Sequence, residues 1–232
     1  MTKKKNISKK QNKVVCKRIE PSLLSIIKKS NKEAVTILKF IKKLGLKYVH
    51  YDVMDGKFVP NTALNTQFLK EIKKLGLKAT VHLMVLKPLC YLKKYFKFNV
   101  EAITFHVEPL NITTIKKYLL AIKNQKIKCG IAIKMETDLK KYTSLNRYLD
   151  YITIMSVPPG KSGQTYNNKC LHNLKVAKKF KQHNPNLIVQ IDGGINLENA
   201  KKNFTLVDHF IMGSYFFNNL ENMKKVIKLI KQ

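Results

Sequence analysis

The sequence predicts a single (β/α)8 TIM barrel, an α/β fold, and three observations predict it. Short β-branched runs alternate with longer Lys/Leu/Ile stretches whose apolar residues recur at three- and four-residue spacing, the mark of successive βα units around a parallel sheet. Eight strand candidates occur, and they are followed by Gly, Pro, Asn and Asp, as in the loops at the C-terminal rim of a barrel. The chain of 232 residues suits a barrel of about 250 residues and leaves little room for a second domain.

In order, strands are expected at 18–23, 47–53, 79–84, 101–106, 128–133, 151–157, 187–192 and 209–212. Each is followed by a segment able to form a helix or a helical turn, for example 32–44, 66–75, 113–123 and 171–182. The barrel is assigned to 17–232. Residues 1–16 are rich in Lys, Asn and Gln and lack the apolar stretch of a secretory signal, so a disordered basic arm is expected there. A doubly wound open sheet is the structural alternative, disfavoured because no G-x-G-x-x-G follows the first strand.

Composition bounds the function. Forty-five Lys and Arg against 14 Asp and Glu give a net charge of +31. Such a surface suits nucleic acid, anionic membrane or acidic metabolites. The lysines are spread along the whole chain, however, with no Arg-rich block and no aromatics interleaved with base, so no specific nucleic acid is expected as a partner. No apolar run is long enough to span a bilayer, and no membrane partner is expected. Cys16, Cys90, Cys129 and Cys170 are too widely spaced for a zinc knuckle or a C-x-x-C redox motif. Free thiols in a reducing, cytoplasmic setting are the expectation.

The chemistry begins on the second strand. Side chains on a strand alternate faces, so His50, Asp52 and Met54 point together, two of them able to ligate a metal. Such a polar cluster is costly inside a barrel unless paired or ligated. Asp55-Gly56 reads as the turn leaving this strand. On the third strand Thr80, His82 and Met84 repeat the arrangement, and Asp192 ends the seventh. Three rim loops carry glycines: Pro159-Gly160-Lys161-Ser162-Gly163-Gln164, then Gly193-Gly194, then Gly213-Ser214. Glycine lets backbone N–H groups approach an anion closely; the loops after the seventh and eighth strands are the usual phosphate site of a barrel, and the loop after the sixth is also suited to anion capture. Together they point to a phosphorylated ligand.

From about Ile19 to the C-terminus the sequence resembles the ribulose-phosphate 3-epimerase family. The most specific stretch is Asp52-Val53-Met54-Asp55-Gly56-Lys57-Phe58-Val59-Pro60-Asn61. Pro21-Ser22-Leu23-Leu24-Ser25, His82-Leu83-Met84-Val85, Phe105-His106-Val107-Glu108, Met155-Ser156-Val157 and Ile191-Asp192-Gly193-Gly194-Ile195 add to it. The resemblance implies an isomerase of the pentose phosphate pathway that interconverts D-ribulose 5-phosphate and D-xylulose 5-phosphate through an enediolate. It implies one divalent metal ion (Zn, Fe, Mn or Co) held by His50, Asp52, His82 and Asp192. It also implies that Asp52 and Asp192 act as the two proton-transfer groups. Ser22 and His82 would contact the substrate, and Met54, Met84 and Met155 would line the space around it, with simple core filling as their alternative role. Gly160, Ser162, Gly163, Gln164, Gly193, Gly194, Gly213 and Ser214 would hold its phosphate. The family associates into homo-oligomers, and self-association is expected.

Two departures stand out. Thr80 lies where the family usually carries Asp two residues before the His, so a carboxylate that would orient a ligand is missing and a lower metal affinity is expected. The rim loop carries Lys161 and Ser162 where the family has Phe and Gly, which bears on the phosphate clamp. Two other functions compete with the leading one: a 3-epimerase for a hexulose phosphate (allulose 6-phosphate), and a basic binding protein on a barrel scaffold.

Overall fold

Strand periodicity dictates the architecture. A computed structural model describes residues 17–27, 29–98 and 100–231, so the basic arm expected at 1–16 lies outside the described residues. One sheet contains β1 (Arg18–Pro21), β2 (Tyr48–Asp55), β3 (Thr62–Ala63), β4 (Lys78–Met84), β5 (Val100–His106), β6 (Lys128–Ile133), β7 (Tyr151–Met155), β8 (Ile188–Asp192) and β9 (His209–Met212). Its order is β1-β9-β8-β7-β6-β5-β4-β2-β3, and every ladder is parallel except β2 with β3. An isolated parallel bridge between Ser22 and His50 brings the two ends together and closes the ring. The eight parallel strands are therefore those expected from the sequence. β3 is an addition, a two-residue return that pairs with Met54 and Asp55 at the rim.

The second strand runs further than expected, to Asp55, which therefore belongs to β2 rather than to the turn. Its Oδ1 accepts the Lys57 and Phe58 amides at 2.9 Å each, and its Oδ2 accepts the Leu86 amide at 2.8 Å, tying the loop after β2 to the loop after β4.

The helices are α1 (Asn31–Lys43), α2 (Gln67–Lys74), α3 (Leu89–Tyr95), α4 (Ile112–Lys123), α5 (Leu171–His183), α6 (Leu197–Lys202), α7 (Ser214–Asn218) and α8 (Met223–Lys231). α1 shows why they form. Ser30 and Glu33 make a reciprocal capping box, and Ala34, Leu38 and Ile41 bury one stripe against the sheet. The segment between β6 and β7 is instead a 3-10 stretch, Leu139–Tyr148. It is kinked at Tyr142 (φ −108°, ψ 15°), so it forms two short 3-10 pieces, with Leu139 buried before the kink and Leu145 after it.

The main apolar core lies between strands and helices. Val49, Tyr51 and Val53 on the outer face of β2 join it, as do Leu38, Ile41, Leu69 and Ile72. Each such aliphatic side chain contributes roughly 1.5–3 kcal/mol by leaving water. The barrel interior is strongly polar by contrast. Glu20, His50, Asp52, Thr80, His82, Thr104, His106, Thr153, Gln190 and His209 are all buried. That arrangement is stable only if these groups satisfy one another or a ligand.

Candidate metal and substrate site

Register assembles the centre. The β2–β4 ladder sets Asp52 beside His82 and His50 beside Thr80, and β8 brings Asp192 to the same end of the barrel. His50, Asp52, His82 and Asp192 each offer one ligand atom, and all four atoms lie within 4.8 Å of one another. His50 Nε2 is 3.4 Å from Asp52 Oδ1 and 3.6 Å from Asp192 Oδ2; His82 Nδ1 is 3.3 and 3.5 Å from the same two oxygens. These separations exceed those of a good charge-assisted hydrogen bond. Both nitrogens are buried, and neither has a hydrogen-bond partner among the described residues. Two orphaned imidazole nitrogens converging with two carboxylate oxygens fit a divalent transition-metal ion.

Electrostatics agree. Burial pushes the His82 pKa down, but the Asp192 and Asp52 carboxylates, 3.5 and 3.3 Å from Nδ1, outweigh it and raise the value to about 9. His50 is raised as well, against burial, chiefly by Asp52. Burial works to raise the Asp52 pKa, yet the two imidazoles hold it well below the usual carboxylate range. The cluster favours positive charge at its centre.

Neighbouring groups hold the candidate ligands. Ser22 Oγ donates to Asp52 Oδ2 at 2.8 Å and also accepts the Leu24 amide at 3.4 Å, capping the short 3-10 turn Leu23–Ile26. Substrate contact and capping are therefore compatible roles for this residue. His50 Nδ1 lies 3.0 Å from Thr80 Oγ1, which donates to Glu20 Oε2 at 2.5 Å. His106 stacks on His82 with ring centroids 5.1 Å apart, and its Nδ1 is 2.8 Å from Glu108 Oε2. Desolvation lowers the His106 pKa to about 4 in spite of that carboxylate.

Above the cluster opens a cavity of about 550 Å³. Asp52, Asp192, Ser22, Met84 and Met155 line its lower part. Three glycine-bearing loops form its rim: Gly160 to Gln164 after β7, Gly193-Gly194 after β8, and Gly213-Ser214 after β9. Gly193 and Gly194 take φ values of +111° and +61°. A Cβ on Gly193 would lie 2.3 Å from Val157 Cγ2, and one on Gly194 would lie 2.3 Å from the Tyr166 amide nitrogen. Only glycine fits either position without displacement. The β7 loop is held from several sides. Asn61 Nδ2 donates to Gly160 O at 2.7 Å, Gln164 Nε2 donates to Pro158 O at 2.7 Å, and the Ser162 and Ser25 hydroxyls are 2.8 Å apart.

The model of the ribulose-phosphate 3 epimerase family matches residues 18–217. The chain belongs to that family. Among its relatives, ribulose-phosphate 3-epimerase of Mycoplasma genitalium is 39% identical over 196 residues, covering 84% of this chain and 90% of that protein. The enzyme of the same name from Mycoplasma pneumoniae is 39% identical over 206 residues, covering 88% and 92%. Two solved structures, at 14% and 11% identity, show the fold alone. Tryptophan synthase subunit alpha from Campylobacter jejuni superposes with a TM-score of 0.61 at 14% identity, over 94% of this chain and 96% of its own. A mutant alpha subunit from Pyrococcus furiosus gives 0.62 at 11%, over 93% and 94%.

Most residues singled out from the epimerase motifs come together in one place. The four candidate ligands form the floor cluster, and the rim glycines, Ser162, Gln164 and Ser214 line the cavity with Ser22, Met84 and Met155. Met54 does not line the cavity. It packs below, with Val59, Ala63 and Met84. His82 contributes to the cluster wall and is fully buried rather than cavity-lining. Lys161 lines the cavity, as does Lys202, so the Phe-to-Lys departure adds a cation near the rim. Sequence reasoning missed Glu20. Its spacing of two from Ser22 marks it as facing inward, but not which groups it meets once the sheet closes.

Proposed function

We propose that this chain is a ribulose-phosphate 3-epimerase, interconverting D-ribulose 5-phosphate and D-xylulose 5-phosphate. The observation that carries the proposal is the meeting of two cavity-lining carboxylates from distant strands, Asp52 on β2 and Asp192 on β8, with two orphaned imidazole nitrogens buried beside them.

The reaction removes the C3 proton and returns one to the opposite face, so it needs an acid–base group on each side of a planar enediolate. Asp52 and Asp192 are the two groups: one carboxylate accepts the proton from C3, and the other, as a carboxylic acid, delivers its proton to C3 from the far side. Their roles exchange with the direction of reaction. His50, Asp52, His82 and Asp192 would hold a divalent ion (Zn, Fe, Mn or Co), which supplies Lewis-acid stabilisation of the negative charge that develops on the substrate oxygen. Ser22 keeps the Asp52 carboxylate in one orientation through the 2.8 Å hydrogen bond to Oδ2. The thioethers of Met84 and Met155 surround the reacting carbon with polarisable groups that offer no proton. The glycine-rich rim receives the phosphate, aided by Lys161 and Lys202. Cytoplasmic location and self-association are part of this reading and rest on the family.

Turnover on ribulose 5-phosphate and on allulose 6-phosphate, measured side by side with metal-replete protein, tests it. A higher kcat/KM on the pentulose is expected. A higher value on the hexulose would overturn the substrate assignment, and no epimerisation of either would overturn the enzyme.

A further inference from the structure

We propose that Glu20, acting through the Thr80 hydroxyl, is the positioning carboxylate that fixes His50 as an Nε2 metal ligand. The proposal rests on the reading of the four-residue cluster as a metal site.

Proton accounting along the chain of contacts gives it a single direction. A threonine hydroxyl has one proton. Its strongest acceptor here is Glu20 Oε2 at 2.5 Å; the alternative, Val49 O, is 3.5 Å away. With the hydroxyl proton given to Glu20, the oxygen turns a lone pair to His50 Nδ1 at 3.0 Å. That nitrogen must then carry the proton. A neutral imidazole has only one N–H, so His50 Nε2 is left with its lone pair, and Nε2 is the atom facing Asp52 and Asp192 without a partner. The relay thus accounts for a tautomer and for an orphaned nitrogen together.

Glu20 is itself fully buried, and Gln190 Nε2 donates to the same Oε2 at 3.2 Å; His209 Nδ1 at 2.8 Å and Arg18 Nη1 at 3.7 Å face Oε1 as charge neighbours, without hydrogen-bond geometry. A buried carboxylate hydrogen-bonded from β8 at the same oxygen that holds Thr80 transmits little motion to the ligand it supports. The same geometry answers the departure at position 80. The carboxylate absent from β4 is supplied from β1, one hydroxyl further away, so the low metal affinity expected from Thr80 alone is replaced by an expectation of normal affinity.

The test uses full-length protein and Co²⁺, with the dissociation constant taken from chelator competition and the visible spectrum of bound Co²⁺ as a report on ligand geometry. Thr80→Val breaks the relay at nearly constant shape, and Glu20→Gln removes its charge. Each is expected to weaken Co²⁺ binding about 10- to 100-fold, the usual effect of losing a partner of a metal-bound imidazole. The swap Thr80→Asp/Glu20→Gln moves the carboxylate to the position it usually occupies in the family and should recover most of the affinity and the wild-type spectrum. A merely structural role for Glu20 gives no such rescue. Thermal unfolding of each metal-free variant checks folding; should Thr80→Val not fold, Glu20→Gln and the swap still decide. Wild-type affinity in Glu20→Gln, or a swap that binds no better than Glu20→Gln, would overturn the relay alone. Failure of the wild-type protein to bind Co²⁺ would overturn the metal site, and the relay with it.

Discussion

Each buried imidazole in the cluster answers to two carboxylates, and this sets what single-residue experiments will show. Asp192→Asn keeps shape but cannot take or give a proton, so at least a ~100-fold fall in turnover is expected with little change in secondary structure by circular dichroism. Near-normal turnover would remove Asp192 from the reaction. The titration of His82 gives a second prediction. Its folded pKa is raised from 6.5 to about 9, so in metal-free protein its pairing with Asp52 and Asp192 is fully stabilising below pH 6.5 and is lost as pH rises through about 9. A cation competes with that proton. The rise in melting temperature on adding Co²⁺ should therefore grow between pH 6.5 and 9, and an increment that shrinks over this range would contradict it. At this scale the sequence is informative where a period of two suffices. His50 and Asp52 fall on one face, Thr80 and His82 on another, and Asp192 at a strand end. Glu20 is not legible in the same way. Its meaning depends on which strands become neighbours once the sheet curls, and no local pattern carries that.

Among the elements, the parallel strands follow from alternation and from β-branched composition, and two of them, Lys128–Ile133 and His209–Met212, have the expected bounds. Boundaries that differ elsewhere move by one or two residues, where hydrogen bonding rather than pattern decides. The strand β3 escapes a sequence reading because two residues offer no periodicity, and the Leu139–Tyr148 stretch, broken by the kink at Tyr142, has no single period to read. The rim loops are open to a direct test. Gly193→Ala imposes a Cβ both on φ +111° and 2.3 Å from Val157 Cγ2. A stability loss of about 1–3 kcal/mol in chemical denaturation is expected from backbone strain of this kind. A rise in KM should accompany it, because the loop lines the cavity. An unchanged denaturation midpoint would show that the loop accepts another conformation.

For the whole molecule, +31 of net charge surrounds a cavity whose proposed ligand is a dianion. Attraction over this distance is screened within about 10 Å at 0.1 M salt. The value of kcat/KM on ribulose 5-phosphate should therefore decline from low to high ionic strength while kcat stays nearly constant, and a flat profile would leave the charge without a kinetic role. The ring also has one weak joint. Every other pair of neighbouring barrel strands shares a ladder, whereas β1 meets β2 through the single Ser22–His50 bridge, and the Ser22 hydroxyl grips Asp52 beside it. The proposed metal cluster is thus built on the clasp of the hoop. An ion bound there should fasten the circle as well as serve the chemistry, and its removal by a chelator should speed amide hydrogen exchange first around residues 18–22 and 48–52, before the opposite wall of β6 and β7 loosens.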